Sequence, residues 1–197
     1  MLVRRGDTIV EVLFAITIFS MIAVAAVSLM NKGLATSQRS LEITTVRQQI
    51  DGQAEALRFM HAAYVNSYKP GATYEGTSPQ GRYQSILAMA RSAASPFGEV
   101  SECTQPTGGA FVIDPRTGRV ESSVANLHTA PFVPQLVYNG DELGYAEGLW
   151  VEPVRSSAAS TGTSVGYMDY HIRACWNTPG QTEPMTLGTI VRLYDPR

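Results

Sequence analysis

From Ile9 to Met30 the chain is apolar at almost every position, and beyond it the apolar residues thin into a helical rhythm. Leu34, Leu41, Ile43, Val46, Ile50, Ala54, Leu57, Met60 and Tyr64 recur at threes, fours and a longer step, which places them on one stripe of an amphipathic helix. Gln38, Arg39, Glu42, Arg47, Gln48, Asp51, Glu55 and Arg58 lie between them as the solvated face. No proline intervenes before Pro70, so the two parts are predicted to form one helix of about 60 residues, roughly 90 Å long. Gly33 and Gly52 are its weak points, each costing up to about 1 kcal/mol relative to Ala in a helix interior. A bend or local melting is expected at Gly33, where the apolar part gives way to the amphipathic one.

Past the helix the texture changes twice. Lys69 to Gly81 is rich in Pro, Gly, Ser and Thr, which marks a connection. Ile86, Leu87, Met89 and Ala90 then predict a short second helix over about 83–94, stopped by Pro96. From Gly109 onward, short alternating apolar runs bounded by turn residues read as strands. Ala110 to Ile113 and Arg119 to Ser122 flank Asp114-Pro-Arg-Thr-Gly118, a turn in which Pro presets φ and Gly accepts positive φ. Leu149 to Val154, Tyr167 to Trp176 and Leu187 to Tyr194 are three more strands, and Asn139-Gly140 is a further tight-turn signal. The expected fold is α+β: a long N-terminal helix whose outer half packs on a small antiparallel sheet, so that each amphipathic surface finds a partner.

Glu11 interrupts the apolar run. At the centre of a bilayer-spanning helix an acidic residue costs about 2.5 to 3.5 kcal/mol, so an ionisable group there calls for a partner. A signal-anchor helix explains the run, because about 20 residues span a bilayer and Arg4 and Arg5 hold the amino end inside. It leaves Glu11 unexplained. A cleaved secretory signal would use Ala23-Val-Ala25, yet ordinary signal cores lack an acid.

Met1-Leu-Val-Arg-Arg-Gly6 followed by Asp7-Thr8-Ile-Val-Glu11 resembles the class III leader of type IV pilins and type II secretion pseudopilins. That resemblance implies a leader at 1–6 and a stem helix at 7–66, with 9–30 crossing the membrane. A connecting region at 67–108 and a β head at 109–197 complete the pilin-like plan. It also implies that a prepilin peptidase cuts between Gly6 and Asp7, that the new amino group of Asp7 is methylated, and that Glu11 pairs with that group on a neighbour. Thr8 stands in the second mature position of the same assembly motif. The implied partners are other pilin subunits, the peptidase, the membrane assembly machinery and, before assembly, lipid. Two positions depart from the family pattern. Asp7 replaces the usual large apolar residue, which fits a minor subunit better than an abundant one, and the proline that often kinks this helix is missing.

Composition adds less. Fifteen Lys and Arg against seventeen Asp and Glu give a net charge of −2 with no basic cluster, so nucleic acid is not an expected partner. Trp150, Tyr167, Tyr170, Trp176 and Tyr194 would suit a stacking platform, but aromatic residues in strands more often pack in a core. Cys103 and Cys175 either form a disulfide or lie as two buried thiols. An oxidising exterior favours the bridge, although Cys103 lies further upstream than the family's usual cysteine. Gly162-Thr-Ser164-Val-Gly166 matches the hydrolase pattern GxSxG without the strand and helix that motif needs. His61, His128 and His171 are dispersed, and no phosphate-cradling, HExxH or EF-hand motif is present. No catalytic activity, cofactor or metal is therefore expected.

The function expected from the sequence is a structural subunit, a minor pilin or pseudopilin, of a type IV pilus-like filament. It would be single-pass in the cytoplasmic membrane with its amino end inside and its head outside, then part of a cell-surface filament. A signal-anchored adhesin or binding module, and a pseudopilin acting in type II protein secretion, are the alternatives.

Overall fold

A computed structural model of the chain describes residues 7–92, 103–106, 108–155, 166–178 and 181–196. Helix α1 runs unbroken from Asp7 to Ser67. The local melting expected at Gly33 does not occur. One glycine costs less than giving up the surrounding hydrogen-bond ladder, because propagating an existing helix is far easier than nucleating a new one. The helix ends where Tyr74 folds back on it: the Tyr74 hydroxyl donates to the Ser67 carbonyl at 2.7 Å and accepts from the Lys69 N–H at 3.1 Å. These bonds satisfy backbone groups left over at the terminus, and Pro70 cannot extend the ladder.

The chain divides into two compact units, Met1–Ile43 and Thr44–Arg197. In the first, Leu34 and Leu41 are exposed, so the apolar stripe predicted over 34–64 is only partly a core stripe. Its buried part begins at Val46.

In the second unit the outer half of α1 buries Val46, Ile50, Ala54, Leu57, Met60 and Tyr64. Helix α2 spans Pro79–Met89 rather than 83–94. It starts early because the Ser78 hydroxyl caps it, accepting from the Gly81 N–H at 3.1 Å, and because Pro79 at the first helical position has no N–H to leave unpaired. Among the described residues the strands that follow are β1 (Arg91–Ser92), β2 (Val112–Ile113), β3 (Val120–Glu121), β4 (Leu127–His128), β5 (Gln135–Asn139), β6 (Glu142–Glu147), β7 (Leu149–Arg155), β8 (Tyr167–Trp176) and β9 (Met185–Tyr194).

The principal sheet has the order β1-β7-β8-β9, with β7, β8 and β9 antiparallel. The β8–β9 register runs from Tyr167 opposite Tyr194 to Trp176 opposite Met185 without a shift. A second sheet has the order β4-β6-β5, and β2 and β3 form a hairpin. Both turns predicted from Gly are present, with φ of 68° at Gly118 and 66° at Gly140. Two pairings depart from a purely antiparallel plan: β1 with β7 and β4 with β6 are parallel. Each involves a two-residue strand, too short to leave a periodic trace. The strand predicted from Ala110 is also shorter than its pattern. Phe111 leaves the β2–β3 ladder and exchanges two backbone bonds with Val151, at 2.9 and 2.7 Å.

The core lies where the inner face of the principal sheet meets the helices. Met168, Tyr170, Ile172 and Ala174 of β8, Val151 of β7, and Val191 and Leu193 of β9 are buried. Tyr83 of α2 fills the space between them and α1, its ring 5.3 Å from Tyr64 and 6.3 Å from Tyr170.

Candidate functional site

The first unit contains one helical segment long and apolar enough to cross a membrane. Its apolar side chains are uncovered by the chain itself: Ile9, Phe14, Phe19, Met21, Val24 and Leu29 are 66–73% exposed. Thr17 and Ser20 donate their hydroxyls to the carbonyls of Phe14 and Ile16, both at 2.8 Å, so neither hydroxyl needs water. Glu11 shares this surface and has no ion-pair or hydrogen-bond partner among the described residues. Asp7 and Thr8 are the first two positions of α1, four and three residues before Glu11. Gly6 and the rest of the leader lie outside the described residues.

In the head, the β2–β3 turn is tied to α1 through Gln53. Its side-chain amide donates to the Ile113 carbonyl at 2.7 Å and accepts from the Ile113 N–H at 2.8 Å. Gln53 thus serves β2 as a neighbouring strand would. A sequence signal for this existed. Gln53 stands three residues after Ile50 and four before Leu57, a polar residue on the buried stripe.

Next to Ile113, Asp114 is buried. Burial alone would raise its carboxyl pKa, but hydrogen bonds from the Thr117 hydroxyl, the Arg116 N–H and the Tyr138 hydroxyl, at 2.7, 3.0 and 2.9 Å, outweigh it and hold the pKa below the ordinary value. Arg116 lies over the Tyr138 ring at 3.8 Å and adds its positive charge to the same effect.

This turn forms one wall of a groove of about 460 Å³. Gly52, Ala56, Phe59 and Met60 of α1 form a second wall, and Pro79 and Arg82 of α2 the third. Gly52 has no atom within 4 Å of where a Cβ would stand, so its missing side chain leaves the groove open. Phe59 is 66% exposed. The charged groups here are mostly engaged: Glu55 pairs with Arg58, Arg82 donates to the Thr117 carbonyl, and Asp114 is fully bonded.

On the other face of the principal sheet, Asp169 and Arg192 form a two-bond pair at 2.7 and 2.8 Å. Arg192 also covers the Tyr167 ring at 3.9 Å. The Arg192 bonds keep the Asp169 carboxyl below its ordinary pKa against the opposing effect of burial. Beside them, burial and then Arg173 lower the pKa of His171. In the core the Tyr170 hydroxyl donates to the Tyr83 hydroxyl at 3.0 Å. Burial pushes Tyr83 up to about 12 and raises Tyr170 further, so both phenols stay neutral.

Cys103 and Cys175 form a disulfide with a Cα–Cα distance of 5.5 Å. It ties the segment before β2 to β8. Trp150, Tyr170 and Trp176 are buried while Tyr194 is exposed, so the aromatic residues do not assemble into one exposed platform. Of the GxSxG match, residues 162–165 lie outside the described residues. His61 bonds the Tyr194 carbonyl at 2.9 Å and His128 that of Ala125 at 2.7 Å.

The chain as a whole joins a long apolar N-terminal helix to a small β-sheet head, an architecture compatible with a pilin-like protein. No family model, curated protein or solved structure matches it.

Proposed function

We propose that this chain is a structural subunit, of the minor pilin or pseudopilin kind, in a type IV pilus-like filament. The observation that carries this reading is Glu11, an acid with no described partner in its own chain, set in an apolar helix whose side chains its own chain leaves uncovered. In the proposed sequence of events the chain first waits in the cytoplasmic membrane with its leader inside and its head outside. A prepilin peptidase cuts after Gly6 and frees the amino group of Asp7, which is then methylated. Machinery in the membrane moves the subunit from lipid into a bundle of stems. There Glu11 meets the amino terminus of a neighbour, in surroundings where an unpaired charge is costly and a paired one is tolerated. Small residues such as Ala15, Ala23, Ala25 and Ala26 let stems approach closely.

The amino-terminal mass of the mature protein tests the first step. A start at Asp7 supports the proposal; a start near Val27 points to a secretory signal, and a retained Met1 in cells with active peptidase to a plain anchor. Glu11→Gln tests the second step. Assembly should fail while membrane insertion persists, and normal filaments from this variant would remove the pairing mechanism.

A further inference from the structure

Phe132 is 70% exposed, yet it does not sit on a slack loop. On one side Ala130 is buried and bridged to Trp176; on the other, Pro134 is buried just before β5. Pro131 and Pro134 restrict the backbone between these fixed points. The backbone that carries this aromatic knob is therefore braced, which lowers the ordering cost on binding. Beside it, at the start of β5, Gln135 lies opposite Glu147 and donates to its carboxylate at 3.0 Å, so an acid accompanies the knob.

The groove has the complementary character. Its walls carry Phe59, Met60 and Pro79, and the absent side chain of Gly52 keeps it open; of its charged residues, Glu55, Arg82 and Asp114 are held by Arg58, the Thr117 carbonyl and the turn's own donors, which leaves Arg116. The Arg116 guanidinium stacks on Tyr138 and has no hydrogen-bond acceptor among the described residues, which leaves its N–H groups available to a carboxylate.

We propose that the groove receives Phe132 of a second copy of this chain, with Glu147 of that copy beside Arg116. Knob and groove are different patches of one head. Joined head to tail, such copies leave a free knob at one end and a free groove at the other, an arrangement that a growing filament can extend. The inference rests on the filament reading, because it supplies a polar head-to-head contact to a polymer whose stems are already bundled.

The test places a benzophenone amino acid at position 132 of the full chain, expressed in its own membrane and irradiated before and after filament assembly. The expected product has twice the subunit mass and joins position 132 to the Gly52–Met60 segment of the other copy. Gly52→Trp fills the groove at a position with open space around it, and should reduce that product about tenfold or more, as blocking an aromatic anchor does. Glu147→Lys should weaken it as well. Unchanged melting of both variants would place these effects at the interface. Absence of the product, a cross-link to a different protein, or survival of the product in Gly52→Trp each overturns the inference. Running the same variants beside Glu11→Gln separates the two ideas. Filaments that form without the cross-link defeat only the knob and groove, whereas normal filaments from Glu11→Gln defeat the pairing mechanism alone.

Discussion

Gln53 on the long helix and Ile113 on the β2 strand exchange two hydrogen bonds, at 2.7 and 2.8 Å, across sixty residues of sequence. Both residues are buried, so neither backbone group of Ile113 has water to fall back on. This pairing lets a short hairpin end against a helix without leaving an open strand edge inside the core.

Gln53→Leu should therefore destabilise the head although it makes the helix stripe more apolar. It strands a buried donor and a buried acceptor, a loss of about 1 to 3 kcal/mol for each unsatisfied group. Gln53→Glu should be worse, since a carboxylate facing the Ile113 carbonyl has no proton to offer it. Denaturant unfolding of the purified chain measures both; a midpoint equal to wild type for Gln53→Leu would show that the bonds contribute nothing net.

Acid should weaken the head through Asp114 and Asp169. Their folded pKa values lie below the ordinary 3.8, so below that value the unfolded chain binds the proton more readily than the folded one. The stabilisation is fully present above the ordinary value and is lost as pH falls through the lower folded values. Asp114→Asn should flatten this acid limb and lower stability near neutrality. Unfolding midpoints followed from about pH 6 down to about pH 3 provide the check, and an unchanged slope in the variant would argue against Asp114 as a source.

The two buried tyrosines should respond as a pair. Tyr170 donates to Tyr83, so Tyr83→Phe and Tyr170→Phe each leave the other buried hydroxyl without its partner. Each should cost about 1 to 3 kcal/mol, and the double variant less than the sum of the two. A double-mutant cycle by thermal unfolding gives the coupling directly; strict additivity would mean that the hydroxyls do not interact.

Reduction of the disulfide should lower stability without changing the stem. Cys103 and Cys175 are 72 residues apart, and closing a loop of that length is worth about 4 kcal/mol in the chain-entropy account. Cys103→Ser with Cys175→Ser should shift the unfolding midpoint of the head accordingly, and the helical signal of the apolar segment should persist. If the pair of substitutions leaves the midpoint in place, the bridge does not constrain the unfolded chain as supposed.

The sequence alone determined the elements whose signals are local. Apolarity from Ile9 to Met30, the three-and-four spacing from Val46 to Tyr64, the period-two runs of β7, β8 and β9, and the glycines of the Asp114–Gly118 and Asn139–Gly140 turns each depend on neighbours a few residues away. Glu11 was conspicuous for the same reason. Tertiary structure alone decided the rest: that Gln53 completes β2, that β1 pairs with β7 and β4 with β6 in parallel, and that Phe111 turns to Val151. Each of these joins residues far apart in sequence. Which distant partner wins is set by loop closure and by the backbone groups that other elements leave unpaired in the core, and no periodicity along the chain encodes either.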